Sequence, residues 1–268
     1  MTRLFSQIVI GFSSVALVAA ITSAQRIRDL PFAPGETLVY EARASKFISS
    51  DVADLTFTVG ENAKPGTVEI NADAKSKGTL LKLARYSFLY QFTSFVDAAT
   101  WRIVSTERQT TEKERRRTGQ AQFDYKEKRV TYVETDPANP MRPPRKIASG
   151  IEDDTQDVVS AVYSLRLIPL SVGKRFTVTV SDTGLVYQVP VVVAAREQQK
   201  TMLGKVWCYR LEPEVFGPGR MIESKGTLTI WITDDAKRIP VRAHIKTVYE
   251  VDVRLKTISN SKLTAQTK

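Results

Sequence analysis

Alternation of apolar and polar residues with a period of two runs through most of this chain. It limits the fold more than any other feature. DLTFTV sets Leu55, Phe57 and Val59 on one face, and RYSFLYQFTSFV does the same for Phe88, Tyr90 and Phe92, with Leu89 opposite. RFTVTVSD, TLTIWIT and VYEVDVRL repeat the pattern with Phe176, Val178 and Val180, with Leu228, Ile230 and Ile232, and with Val251, Val253 and Leu255. Successive side chains of a strand point to opposite faces, so runs of this kind, broken by turn signals such as AKPG and VFGPGR, predict antiparallel strands. QVPVVVAA reads as a strand buried on both faces, with Pro190 placing it at an edge or a strand end.

One segment departs from the alternation. DDTQDVVSAVYSLRLIP carries Val158, Val162 and Leu165 at helical spacing, with Val159 and Tyr163 beside them. Asp154 or Thr155 is positioned to cap its start, Asp157 falls in the first turn near the positive end of the dipole, and Pro169 stops it. The expectation is one helix near 155–167 packed on a sheet. Long strands with a single embedded helix predict a mainly β fold with a strongly curved antiparallel sheet; by analogy of fold alone, it is similar to the open half-barrels of periplasmic lipoprotein carriers. Four prolines in DPANPMRPPRKIASG mark 136–150 as a long surface loop within one domain, 25–258. The polar tail 259–268 is expected to be disordered.

The first 24 residues carry Arg3, an apolar stretch from Ile8 to Ile21 and small residues at Thr22-Ser23-Ala24. This is the pattern of a secretory leader cleaved at about Ala24. The 14 residues of the apolar stretch fall short of the roughly 20 needed to span a bilayer. The expected location is therefore periplasmic or extracellular, with no transmembrane span after cleavage. The 268-residue chain has a net charge of +10, and loss of the leader, with its single arginine, leaves +9. A basic surface outside the cytoplasm favours anionic lipid head groups or acidic glycans over nucleic acid. The lone cysteine, Cys208, excludes an internal disulfide and a multi-thiolate zinc site; flanked by Trp207 and Tyr209 on a strand, it reads as a buried inert thiol.

Few residues suggest chemistry. Asp234 and Asp235 stand between two alternating runs in the polar stretch DDAKR, the composition of a hairpin loop, where aspartates accept backbone N–H bonds. Glu152, Asp153, Asp154 and Asp157 lack the spaced ligands of a calcium loop and suit a helix start. The only histidine, His244, alternates onto the face of Arg242 and Lys246. No Gly-rich phosphate loop, GxSxG elbow or HExxH helix occurs, and no metal or cofactor is expected. Arg115, Arg116 and Arg117, with Lys126, Lys128 and Arg129 in the next turn, form the candidate anionic-ligand surface. Trp231 opposes Ile230 and Ile232 on its strand, so something must cover it: a helix, a loop or a ligand. Phe88, Tyr90, Phe92 and Trp231 are accordingly the candidate residues for an apolar ligand.

DVVSAVYSLR, VGKRFTVTVSDTGLVYQVPVVVAARE and GTLTIWITDDAKRIPVR, together with the opening LPFAPGETLVYEA and the hairpin QFDYKEKRVTY, resemble a bacterial exported family, domain of unknown function family 3108 (DUF3108). The resemblance runs from Leu30 to about Leu255. Asp157, Tyr163, Arg166, Trp231, Asp234, Asp235, Arg238 and Pro240 fall on its recurrent motifs, where they read as structural. It implies an envelope protein and no known activity. The combined expectation is an exported, non-catalytic envelope protein that binds an apolar or amphipathic lipid-like ligand or a partner protein. The alternatives are a carboxylate-dependent hydrolase of envelope glycan or lipid, using Asp157 or Asp234, and a structural assembly factor.

Overall fold

A computed structural model describes residues 30–45, 50–61 and 64–260. The expected leader, and the tail beyond residue 260, lie outside them. The elements are β1 (Glu36–Ser45), β2 (Ser50–Val59), β3 (Thr67–Ser76), α1 (Thr79–Leu83), β4 (Phe88–Asp97), β5 (Ile103–Glu112), β6 (Arg115–Asp124), β7 (Arg129–Thr135) and β8 (Arg145–Gly150). They continue with β9 (Gln156–Asp157), α2 (Val158–Leu165), β10 (Arg175–Asp182), β11 (Leu185–Thr201), β12 (Gly204–Pro213), β13 (Thr227–Thr233), β14 (Pro240–Lys246) and β15 (Glu250–Asn260).

All fifteen strands join one sheet that does not close, in the order β8-β7-β6-β5-β4-β3-β2-β1-β15-β14-β13-β12-β11-β10-β9. Pairing is antiparallel except at the two-residue β9, which runs parallel to β10. The chain thus builds two meandering arms from local hairpins and sews them together along one seam, from Glu36↔Asn260 to Ser45↔Glu250. The far ends of the arms curl towards each other. Gly184 in the β10–β11 turn adopts φ +83°, and a Cβ there would lie 2.7 Å from the Tyr132 Cβ and 3.0 Å from the Ile147 Cβ. This turn therefore rests on β7 and β8 with only a glycine's clearance.

The helix α2 bridges the two arms. Val159 and Tyr163 pack with Ile70, Val96, Ile103 and Val130 of the first arm, and Leu165 with Val178, Val191, Leu211 and Ile232 of the second. It is shorter than its sequence pattern suggests. Gln156 and Asp157 stay extended because they pair with Val180 and Ser181, so the cap moves from Asp154 or Thr155 to Asp157. The Asp157 carboxylate accepts the Ser160 N–H at 2.6 Å, and Ser160 Oγ accepts the Asp157 N–H at 3.0 Å, a reciprocal capping box. Three further expectations change. A second, five-residue helix, α1, joins β3 to β4 where a single helix was expected. Within 136–150, residues 145–150 form the edge strand β8, because Arg145–Gly150 pairs with Glu134–Arg129. Ser259 and Asn260, expected in the tail, complete β15 against Thr37 and Glu36.

The strand registers define two rims. One holds Glu36, Asn260 and the 234–238 turn; the other holds Ser45, Ser50, Ser76, the β5–β6 turn and the β14–β15 turn. Arg166, only 1 % exposed, closes the first rim. Its guanidinium meets Glu36 through two bonds, Nη1 to Oε1 at 2.5 Å and Nη2 to Oε2 at 3.2 Å. It also donates to the Pro31 carbonyl at 3.1 Å and, through Nε, to the Lys237 carbonyl at 3.0 Å. Phe32 lies under it and packs edge-on against Tyr163. The N-terminal segment, the end of α2 and the β13–β14 turn thus meet on one side chain. Breaking a buried ion pair by removing one partner costs about 3–5 kcal/mol, whereas replacing both partners by apolar groups is often neutral. Arg166→Met is therefore expected to lower the denaturation free energy by about 3–5 kcal/mol, and Glu36→Leu with Arg166→Met to restore most of it, as read by urea unfolding.

Candidate functional site

A cavity of about 240 Å³ lies between α2 and strands β10–β13. Valines at 178, 180, 189 and 191 form its floor, Val158, Ala161, Val162 and Leu165 of α2 form one wall, and Leu228 and Ile230 form the other. The segment 214–226 crosses its mouth and contributes Val215, Met221 and Ile222. Every lining side chain is apolar. This strap is internally bonded, Gly217 N–H to Ile222 O at 2.9 Å and Ile222 N–H to Val215 O at 3.0 Å. Arg220 ties it to β11 through Gln188 O at 3.3 Å and pairs within the strap with Glu214 at 2.9 Å. Gly217 (φ 121°) and Gly219 (φ 71°) supply conformations that other residues resist. Val158 and Ile222 remain partly exposed at the mouth. An apolar void of this size is well above the roughly 150 Å³ that accepts benzene.

Of the helical stripe Val158, Val162 and Leu165, expected to meet a sheet, Leu165 packs on the second arm while Val158 and Val162 border this space, and Val159 and Tyr163 contact the first arm. The valine-rich runs around 178 and 191 supply the floor of the cavity. Alternation alone does not tell a strand facing a packed core from one facing a void.

The four side chains expected to bind an apolar ligand lie elsewhere. Phe88 and Tyr90 stack on each other, ring centroids 5.1 Å apart, and the Tyr90 hydroxyl donates to Glu112. Phe92 lies beneath the Arg108 guanidinium at 5.2 Å. Trp231 is covered by a side chain of the adjacent strand: Arg242 lies 4.6 Å over its ring, and its indole N–H donates to Glu197 at 2.6 Å. Trp231 packs with Cys208 and Val241, whereas Ile230 and Ile232 on its other side belong with the cavity wall and Leu211.

The carboxylates do not converge. Asp157 is buried; one oxygen caps α2 and the other accepts from Ser94 and, at 2.6 Å, from Thr106. The space beside it, near Arg108 and Asp182, is about 30 Å³, room for about one water. Asp235 accepts the Thr233 hydroxyl and the N–H groups of Lys237 and Arg238, each at 2.9 Å. Asp234 receives Arg196 at 2.5 Å. The pair is the corner of the β13–β14 hairpin. Arg238 donates to the Ile168 carbonyl at 2.9 Å, and Pro240 accepts the Tyr40 hydroxyl at 2.7 Å, so both motif residues tie this hairpin to its neighbours. Glu36, the partner of Arg166, had no signal in the sequence, because 130 residues separate the two.

The basic clusters also separate. Arg115 and Arg116 start β6, while Lys126, Lys128 and Arg129 follow its end, about 30 Å away at the rise of a strand. Arg117 pairs with Asp136 at 2.7 Å, and Lys128 pairs with Asp153. The six do not form one surface. Among the described residues, no helix is long and apolar enough to cross a membrane, and no group of three or more His, Cys, Asp and Glu side chains is placed to hold a metal ion.

The family model described as Protein of unknown function (DUF3108) matches residues 39–256. The chain belongs to this family. DUF3108 carries no activity in that description. No curated protein matches the chain. Among solved structures, a protein from Brucella abortus described as β-barrel-like, of domain of unknown function DUF1849, superposes with a TM-score of 0.56 at 12% identity, covering 84% of this chain and 97% of that one. It shows a shared fold. A protein with a YmcC-like fold from Bacteroides fragilis NCTC 9343 matches at 11% identity over 86% of this chain and 98% of its own, with a TM-score of 0.37, too loose an overlay to support any argument.

Cys208 is fully buried, and burial pushes its thiol up to about 12, with Asp235, Glu197 and Asp234 adding to the shift. A raised thiol pKa keeps the group protonated at neutral and mildly alkaline pH, and the thiolate is the reactive form. The native DUF3108 protein is expected to resist a disulfide-exchange reagent there and to react fully once unfolded in guanidinium, as read by thiol absorbance.

Proposed function

We propose that this DUF3108 protein is an exported, non-catalytic envelope component that takes up an apolar or amphipathic, lipid-like molecule in the cavity beneath α2. The observation that carries the reading is the all-apolar lining of that 240 Å³ space. An open groove lined only by apolar side chains leaves that surface in water, and covering it with an apolar molecule is favourable. The leader-like opening of the sequence supports export. The scattered positions of Asp157, Asp234 and Asp235, each engaged in local hydrogen bonds, weigh against the hydrolase reading.

None of the three tryptophans lines the cavity, so an added reporter is needed. N-phenylnaphthylamine is expected to brighten on binding the protein and to be displaced by a single-chain fatty acid. Ala161→Phe, which projects a ring into the cavity, is expected to weaken dye binding at least about tenfold, since lost apolar burial of this size exceeds 1.4 kcal/mol. Equal dye binding by wild type and Ala161→Phe, both folded by circular dichroism, would falsify the assignment of the site.

A further inference from the structure

The rim opposite Arg166 differs in character from the rim that Arg166 closes. Leu83, Met141 and Val248 are the three most exposed large apolar side chains among those described, at 77 %, 90 % and 74 %. All three stand at this open end of the sheet. Leu83 ends α1, between β3 and β4. Val248 and the exposed Tyr249 occupy the β14–β15 turn. Met141 lies in the β7–β8 loop, which the Arg117–Asp136 pair draws to the start of β6. The registers connect the rim step by step: Lys246↔Glu250, Glu250↔Ser45, Ala44↔Ser50, Ala53↔Ser76, Lys75↔Leu89 and Phe88↔Glu112. Strand spacing places α1 and the β14–β15 turn roughly 15–20 Å apart.

Cations surround these side chains. Lys82, Arg85, Arg115 and Arg116 are exposed and form no ion pair among the described residues. Lys113 lies 5.8 Å over the ring of Tyr86, itself partly exposed on this rim. The acids here are fewer: Glu112, the cross-strand neighbour of Arg115, accepts the Tyr90 hydroxyl, Glu114 is exposed beside it, Asp136 pairs with Arg117, and Glu250 faces Lys246 at 3.8 Å. The turns of the opposite rim mix both signs: Asp124 with Lys126, Lys128 and Arg129, and Asp234 and Asp235 with Lys237 and Arg238, while Asp153 pairs with Arg102 and Lys128 and Asp234 with Arg196. Apolar tips beside an excess of cations over acids match a bilayer interface with anionic head groups, where each cation near the surface adds to attraction and the apolar tips enter the head-group region.

We propose that this rim docks the protein on an anionic lipid bilayer. A second copy of the chain would meet the same cations and be repelled by them, which is why a membrane is the favoured occupant. The inference stands on the rim residues and not on the cavity, but docking would bring the cavity mouth, with Val158 and Ile222, to the side from which a lipid-like ligand arrives.

The test uses the chain from Gln25 onward, which contains the whole sheet, in sedimentation with phosphatidylcholine vesicles made with and without phosphatidylglycerol. Binding is expected only with phosphatidylglycerol and is expected to fall with added salt. Arg115→Gln with Arg116→Gln should weaken it about fivefold per cation removed. Leu83→Asp with Val248→Asp should abolish it, leaving the melting temperature unchanged because both side chains are exposed. Ala161→Phe should bind vesicles as wild type does, which separates this proposal from the cavity reading. Equal binding to both vesicle types, no binding to either, or indifference to Leu83→Asp with Val248→Asp overturns it. So does a concentration-dependent dimer that Leu83→Asp with Val248→Asp dissolves, which would assign the rim to a second copy.

Discussion

The Arg166–Glu36 pair is the contact on which the arrangement depends. An open sheet has no closing ladder of hydrogen bonds to hold what lies inside it. The helix must be fixed by side chains, and a fully buried guanidinium with carboxylate and carbonyl acceptors on several sides does so. Three segments far apart in sequence converge on it, so the latch forms only when both arms are in place. The same contact closes one rim and leaves the other free.

From that asymmetry follows the interior. α2 is short, and it is held at its start by the Asp157 box and at its end by Arg166. One side of the helix packs on the first arm. The other faces valines of the second arm across an unfilled space. The groove is open at its mouth, where Val158 and Ile222 stay exposed, so its apolar walls are left facing solvent rather than packed on protein. The strap held by Arg220 covers this space without filling it.

Much of the architecture was legible in the sequence because β structure writes its period directly into side-chain chemistry. The alternating runs became strands, DDAKR became a hairpin corner, and the one stretch of helical spacing became α2. What was hidden depended on partners supplied by distant strands. Trp231 needed a cover, but its neighbour Arg242 could be identified only once β13 and β14 were in register. The start of the helix moved to Asp157 because β10 holds Gln156 and Asp157 extended, an interaction beyond local propensity. Arg115 and Lys128 look adjacent in sequence terms, yet a ten-residue strand carries them to opposite rims. The cavity escaped notice because burial against a void and burial against a core leave the same pattern in a strand.

The claim that an apolar, lipid-accepting trough lies beneath α2 is tested most directly by native mass spectrometry of the protein isolated from the cells that make it, beside Ala161→Phe prepared in the same way. The account predicts an adduct on the wild-type chain that solvent extraction identifies as an acyl-chain compound, and its absence from Ala161→Phe. A bare wild-type chain that also fails to take up added single-chain lipid would contradict it.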